Sequence, residues 1–190
     1  MKLKRALIIL LLIFSGESFA GSVNVNLSNN AAQVEVGHTT VGAGEIQSGF
    51  IANEQGSTVI DTGLVVNGGG EGDQEVTGLN GGGGVKVMAG RLKQTGVNNT
   101  NTVAGIALGG ALTYTFPNAP SFALAGEFFT AVKITSFGDS DRYNEFGIRL
   151  EMGPPHAKFF LGYREMSFDI IGTGPVSVDK GGYTGVLLTF

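Results

Sequence analysis

The sequence contains no cysteine and no tryptophan, and only 15% of its 190 residues are charged. Without cysteine the chain has no disulfides, no lipid anchor attached to a cysteine and no thiolate metal ligand. Two histidines, His38 and His156, are too few and too far apart in sequence to indicate a catalytic constellation or a metal site. The formal net charge of −4 gives no reason to expect a nucleic-acid partner.

Long apolar runs are also missing. The clearest run, residues 6–14, is much shorter than the roughly 20 residues that a transmembrane helix needs, which argues against an uncleaved signal anchor. It follows a basic start at residues 1–5 and precedes small residues that end at Ala20. This arrangement predicts a secretory signal peptide at residues 1–20, cleaved after Ala20, and a mature domain of residues 21–190.

Glycine is abundant, with 32 residues, but it keeps no three-residue period of the collagen type. The informative pattern is instead an alternation at every second position, which predicts β-strands. Over residues 102–116 one face is large and apolar and ends in Tyr114 and Phe116, while the other is almost entirely glycine, alanine, valine and threonine. The next segment repeats this scheme, with Phe129 as the exception on its small-residue face.

Charged residues share the faces of small residues on three later segments: Glu127, Arg149, Glu151 and Arg164. In a narrow barrel the inward side has little room, so small residues fit there and the charges must pair inside. The pattern therefore predicts an all-β fold, a closed antiparallel transmembrane β-barrel. We expect a charge cluster in its lumen, which either neutralises a filled interior or lines a polar path.

The strand number is harder to read from the pattern. Candidate strands in the first half are residues 23–27, 32–39, 46–52, 58–66, 74–79 and 85–93, and five more follow. Eleven segments conflict with the even number found in bacterial single-chain barrels. We expect eight strands for a chain of this size, with ten as the alternative.

The connections differ in length and composition. Proline-bearing turns lie at residues 116–120 and 153–156, and polar loops lie at residues 95–100 and 136–142. The longest expected loop is residues 169–180. Short turns on one side and longer polar loops on the other are typical of outer-membrane barrels.

The C-terminal segment alternates and closes on an aromatic residue. Its pattern, with Tyr183, Gly185, Leu188 and Phe190, resembles the C-terminal targeting strand that the barrel assembly machinery of the outer membrane recognises. The predicted partners are therefore that machinery and outer-membrane lipid. The expected location is the bacterial outer membrane, reached through the periplasm.

The second half also resembles the YfaZ-like outer-membrane protein family of Gram-negative bacteria. The residues that carry this resemblance are 124–129, 160–166 and 182–186, and it covers residues 101–190. It implies a small outer-membrane barrel and adds almost no mechanism. The absence of tryptophan departs from the usual interface composition of such barrels. Tyr114, Phe116, Phe159 and Tyr163 would have to serve at the membrane interface.

The sequence does not indicate an enzyme, a cofactor or a metal. The glycine-rich residues 67–73 and 81–84 lack the repeat or the following Lys-Ser that calcium or phosphate loops require, so we interpret them as loops. The first functional hypothesis is a non-enzymatic structural or surface-interaction barrel. The alternative is a narrow pore or ligand-binding channel, and a lipid-modifying enzyme is a third possibility.

Deletion of Phe190 tests the targeting-strand hypothesis. The truncated protein is expected to assemble poorly into the outer membrane, because the last apolar position of the targeting pattern is gone. Sucrose-gradient fractionation, with gels run before and after boiling, measures assembly as heat-dependent mobility. Normal amounts of heat-modifiable, membrane-inserted protein from the truncation contradict the hypothesis.

Overall fold

The computed structural model describes residues 21–40, 44–67, 78–94 and 100–190. The predicted signal peptide, residues 1–20, lies outside these ranges and stays a prediction. The strands are, in chain order, β1 (Gly21–Ser28), β2 (Ala31–Thr40), β3 (Gly44–Asn53), β4 (Thr58–Asn67), β5 (Leu79–Lys93), β6 (Thr100–Thr115), β7 (Phe122–Ala131), β8 (Ser136–Gly138), β9 (Ser140–Met152), β10 (Ala157–Ile170) and β11 (Gly174–Thr189). Among the described residues, no helix has the length and apolarity needed to cross a bilayer.

Ten of these strands form a closed antiparallel barrel. Each pairs with its neighbours in chain order, β7 pairs with β9, and the ring closes where β1 pairs with β11. The short β8 is not a wall strand of its own. It follows one turn of 3-10 helix, Lys133–Thr135, and pairs with β6 beyond the end of β7. The expectation of eight strands was wrong, and the ten-stranded alternative describes the barrel.

A glycine run accounts for the extra segment in the sequence analysis. The pattern predicts a loop at Gly81 to Gly84, but these residues are part of β5, where Gly83 and Gly84 pair with Gly110 and Gly109 of β6. Because glycine carries no side chain, a run of it interrupts the alternation on which strand prediction depends. Most of the candidate strand at residues 74–79 lies outside the described residues, and Leu79 begins β5.

The two ends of the barrel can be told apart. Gly21 and Phe190 meet at one end, here called the terminal end, through reciprocal backbone hydrogen bonds of 2.7 and 2.9 Å. Both proline-bearing turns also lie there. The distal end carries the connections from β1 to β2, β3 to β4, β5 to β6, β7 to β9 and β10 to β11.

The predicted long loop at residues 169–180 was wrong. β10 continues to Ile170 and β11 begins at Gly174, so only a short turn separates them. The two strands pair along almost their whole length, with one irregularity between Met166 and Ser167. This irregularity breaks the alternation on β11, because Val178 and Asp179 are consecutive in sequence and both fully buried. A face switch of this kind hides a strand from a search for strict alternation.

The outward face of the wall is apolar. Its large side chains are exposed although they belong to regular strands, in both halves of the chain. Representative members are Val25, Val36, Phe50, Ile60, Leu64, Val87, Leu108, Leu124, Phe128, Phe146, Leu150, Phe159, Leu161 and Leu188. An apolar outer surface of this extent is the surface that a barrel presents to lipid. We call it the outer belt.

An arginine in the outer belt tests its contact with lipid. Leu108 lies in the middle of β6 and is 64% exposed. We expect Leu108→Arg to destabilise the protein in bilayer vesicles, lowering its free energy of unfolding by about 2–4 kcal/mol, because the charge enters hydrocarbon. Urea titration of vesicle-inserted protein measures this change.

Ile134 provides the matched control. It is 85% exposed but lies in the 3-10 turn beyond β7, outside the barrel wall. Ile134→Arg is expected to leave the folding free energy nearly unchanged. Equal effects of the two substitutions would show that the outer belt is not in lipid.

Candidate functional site in the barrel lumen

The inward side chains form three layers along the barrel axis. A polar cavity, the vestibule, occupies the terminal half. A charged layer of ion pairs lies above it. The distal part is filled by an apolar plug whose members are buried: Ile51, Val59, Met88, Leu92, Val103, Phe129, Ala131, Tyr143, Met166, Phe168, Ile170, Val176 and Val178. The order is visible along β10, where Lys158 lines the vestibule, Arg164 lies in the charged layer, and Met166, Phe168 and Ile170 follow in the plug.

The first ion pair of the charged layer joins β5 to β9. Lys86 donates to Glu145 at 2.6 Å, and both side chains are almost fully buried. The hydroxyl of Tyr143 donates to the same carboxylate oxygen at 2.8 Å. Oε2 of Glu145 therefore accepts hydrogen bonds from an ammonium group and from a phenol. Because Tyr143 belongs to the plug, this bond connects the charged layer to the plug.

The second ion pair joins β10 to β11. Arg164 donates through Nε and Nη2 to Oδ2 of Asp179, at 3.0 and 2.6 Å. The other oxygen of Asp179 accepts from the hydroxyl of Ser28 at 2.7 Å. The pair thus links three neighbouring strands, and the exposed fractions of the two ionic side chains are only 2% and 0%. Both charges are therefore balanced by protein groups alone.

Aromatic rings support the lumenal cations. Lys86 lies 4.5 Å from the ring centre of Phe129, Arg149 lies 5.1 Å from that of Phe160, and Arg164 lies 5.0 Å from that of Tyr183. A cation over an aromatic face gains electrostatic stabilisation that matters most where water is excluded. This explains Phe129, the exception to the sequence alternation: it points inward to pack beneath Lys86.

Inward glycines make room for these large side chains. Each sits directly across from one on a neighbouring strand, in the pairs Gly147 with Glu127, Gly49 with Asp61, Gly63 with Lys86, Gly109 with Phe129, Gly162 with Arg149, and Gly185 with Phe160. A Cβ at Gly147 would come within 3.0 Å of Oε1 of Glu127. The long side chain thus lies flat against the wall, over a position that has no side chain.

The four charges predicted from sequence fall into three places. Arg149 donates to Glu151 at 2.9 Å on the vestibule wall, and Lys158 donates to the other oxygen of Glu151 at 2.9 Å. Glu127 lines the same vestibule without an ion pair among the described residues. Arg164 belongs to the charged layer instead, with Asp179. The four residues therefore face one lumen but do not form one cluster.

Sequence reasoning missed several lumenal groups. Lys86 and Asp61 lie in first-half strands whose inward positions the pattern does not assign, and Asp179 falls within a predicted loop. Glu145 shares the small-residue face of its segment but is not among the four predicted charges. The usable signal for Lys86 is its position between Val85 and Val87, because a lone lysine between apolar neighbours in a strand points to the inward face.

The predicted targeting strand is the last wall strand. Tyr183 points inward and is buried, Gly185 lies beneath the ring of Phe160, and Leu188 is on the outer belt. Phe190 pairs with Gly21 and is 58% exposed. These positions describe how β11 closes the barrel, while recognition by the assembly machinery stays a prediction.

The vestibule is a cavity of about 510 Å³ that reaches the terminal end of the barrel. Small residues, mainly glycine and alanine, form part of its lining. The polar and charged side chains of the lining are Ser22, Asn24, Glu35, Thr39, Glu45, Gln47, Asn80, Thr113, Thr115, Glu127, Arg149, Glu151 and Lys158. Within the described ranges, no three His, Cys, Asp or Glu side chains are grouped as a metal site would need. The lining side chains can interact with a solute through hydrogen bonds and through their charges.

Removing one partner of the Arg164–Asp179 pair is expected to destabilise the barrel strongly. Arg164→Met leaves a buried carboxylate unpaired, which costs about 3–5 kcal/mol in comparable cases. The double variant Arg164→Met/Asp179→Asn should recover most of this loss, because no buried charge is left and the introduced amide oxygen still accepts from Ser28. Urea unfolding, monitored by circular dichroism, measures the free energy of unfolding of the single and the double variant. Equal losses in the single and double variants would contradict the assignment.

Comparisons with solved structures found several matching chains, two of which are porins of similar length. The "KdgM porin in complex with disordered oligogalacturonate" matches with 11% identity and a TM-score of 0.46, over 90% of this chain and 99% of that chain. The "NanC porin structure in rhombohedral crystal form" matches with 10% identity and a TM-score of 0.45, over 91% and 100%. No curated protein matches. The YfaZ precursor family matches residues 1–190, the whole sequence, and the chain belongs to this family.

Proposed function

We propose that this protein is an outer-membrane channel with a narrow, gated lumen for small polar solutes. The observation that carries the proposal is the polar vestibule of about 510 Å³ inside a ten-stranded wall. A barrel that served only as a membrane anchor or a surface scaffold would have no need of a cavity lined by carboxylates, a guanidinium and an ammonium group. The vestibule therefore favours the channel over the purely structural alternative.

The outer belt supports the location. Large apolar side chains face outward on strands from the whole ring, and such a surface is stable in lipid but not in water. The predicted signal peptide supports export across the inner membrane. With the terminal end in the periplasm, the vestibule is filled from the periplasmic side.

Strand number supports a usable lumen. Eight-stranded barrels have interiors just wide enough for side chains to fill, and the diameter grows with the number of strands. A ring of ten strands has a larger cross-section, and the inward glycines leave further space next to the wall because they carry no side chain. This room holds the vestibule in the terminal half.

The distal half is closed in this conformation. The buried ion pair Lys86–Glu145 joins β5 to β9, which are not neighbours in the ring, and Arg164–Asp179 lies along the adjacent strands β10 and β11. The apolar plug lies beyond both pairs. Passage of a solute therefore requires plug side chains to move. We propose that the plug is the gate and that the ion pairs hold its base in place.

A purely structural barrel is the second candidate, and the closed plug is the observation that favours it. A lipid-modifying enzyme has less support. His38 lies on β2 and His156 lies in the turn before β10, with β1 and β11 between them in the ring. The two histidines are therefore separated by two strands and do not share one site.

Planar-bilayer recordings test the proposal. The wild-type protein is expected to give brief, small openings, and Met166→Ala/Phe168→Ala to raise the open probability several-fold, because both side chains are buried in the plug. Phe128→Ala, which removes an equally large ring from the outer belt, is the matched control and should behave like wild type.

Every variant should first show heat-dependent mobility and insertion into vesicles. If correctly inserted wild-type and plug variants all fail to pass current, the channel proposal is wrong. The structural barrel would then be the better account.

A further inference from the structure

The vestibule wall has more negative than positive side chains. Its charged members are four carboxylates and two cations: Glu35, Glu45, Glu127, Glu151, Arg149 and Lys158. Both cations are already bonded to one carboxylate, Glu151. In the part of the chain that the structure describes, the other three carboxylates have no cationic side chain within 4.0 Å. The unpaired charged groups of the wall are therefore carboxylates, which can bind a cation.

Two of these carboxylates differ in how they are held. Glu35 accepts from the amides of Asn24 and Gln33, at 2.6 and 3.1 Å. Both donors are neutral amides, so they hold the carboxyl group in place without giving it a cationic partner. Glu127 lies over Gly147 and makes no side-chain hydrogen bond or ion pair with another described residue. Its side chain is partly exposed and faces the cavity, so a solute can reach it.

An unsatisfied amide oxygen lies next to Glu35. Asn24 lines the vestibule and is only 6% exposed, and its Oδ1 has no hydrogen-bond partner among the described residues. A buried acceptor without a donor is costly and uncommon in folded proteins. Since the amide nitrogen of Asn24 is committed to Glu35, the free oxygen requires a donor from elsewhere. An acceptor beside a carboxylate indicates a ligand that brings both N–H groups and positive charge.

We infer that the vestibule binds small organic cations that carry an ammonium group. Glu35 and Glu127 supply the charge, and Oδ1 of Asn24 accepts an N–H bond. Among the described residues, this wall has no unpaired cationic side chain for an anionic solute, because Arg149 and Lys158 both pair with Glu151. The cavity volume is in the range of pockets for small organic molecules. The inference names the solute class for the proposed channel and rests on solute access to its lumen.

Isothermal titration calorimetry on the detergent-solubilised barrel tests the inference with three probes. Butylammonium chloride is expected to bind. Butyltrimethylammonium chloride has the same charge without N–H donors and should bind several-fold more weakly. Sodium butyrate, of similar size and opposite charge, should not bind. Equal binding of the two cations, binding of butyrate, or no binding of butylammonium overturns the inference.

Variants place the site within the vestibule. Glu127→Gln removes one accessible charge and should weaken butylammonium binding about tenfold, the loss of a charged hydrogen bond. Gln47→Glu adds a carboxylate to the same wall and should tighten binding. Glu54→Gln, in the exposed turn between β3 and β4, is the matched control and should leave binding unchanged. Unchanged binding in Glu127→Gln and Gln47→Glu would exclude the vestibule as the site.

The calorimetry separates this inference from the channel proposal. Butylammonium binding in a barrel that never passes current would refute conduction and leave the binding site standing. Current without preference for ammonium would refute the binding site and leave the channel standing. Folding of each variant is checked by its heat-dependent mobility before titration.

Discussion

Space on the inner wall is the constraint on which the lumen depends. A large inward side chain can lie flat against the wall only where the neighbouring strand has no side chain. The glycine pairs meet this condition for carboxylates, cations and rings alike, as with Glu127 over Gly147 and Phe129 over Gly109. The high glycine content therefore has a physical purpose here: it lets a narrow barrel hold long polar side chains and still keep a cavity.

Burying ions inside this barrel requires more than pairing. Desolvating a charge costs several kcal/mol, and one good partner often only offsets it. In the charged layer, Arg164 has Asp179 on one side and the ring of Tyr183 on another. Lys86 has Glu145 and the ring of Phe129. These combined contacts hold the ions in place, and they hold the base of the plug as well.

Part of this arrangement could be predicted from sequence. Most of the second half alternates, so most of its strands and the inward direction of Arg149 and Glu151 could be inferred from the sequence pattern. The strand number could not, because the glycines of β5 carry no pattern. The face switch at Val178 and Asp179 conceals only the first part of β11, which the sequence analysis assigns to a loop. Partners such as Lys86 with Glu145 depend on the cross-strand register and on ring closure. Neither property is local, so neither can be predicted from the alternation within a single strand.

The lumen is asymmetric, and this asymmetry bears on how it can open. Ions in the vestibule meet carboxylates and amides that can replace water, whereas the plug offers apolar side chains such as Met166, Phe168 and Val178. Neutralising the ion pairs alone would leave that apolar barrier dry. In the proposed channel, widening the plug lets water enter, and the charged layer then offers a polar surface to a hydrated solute. In the channel that we propose, the packing of the plug therefore controls passage and the charges below it select among solutes.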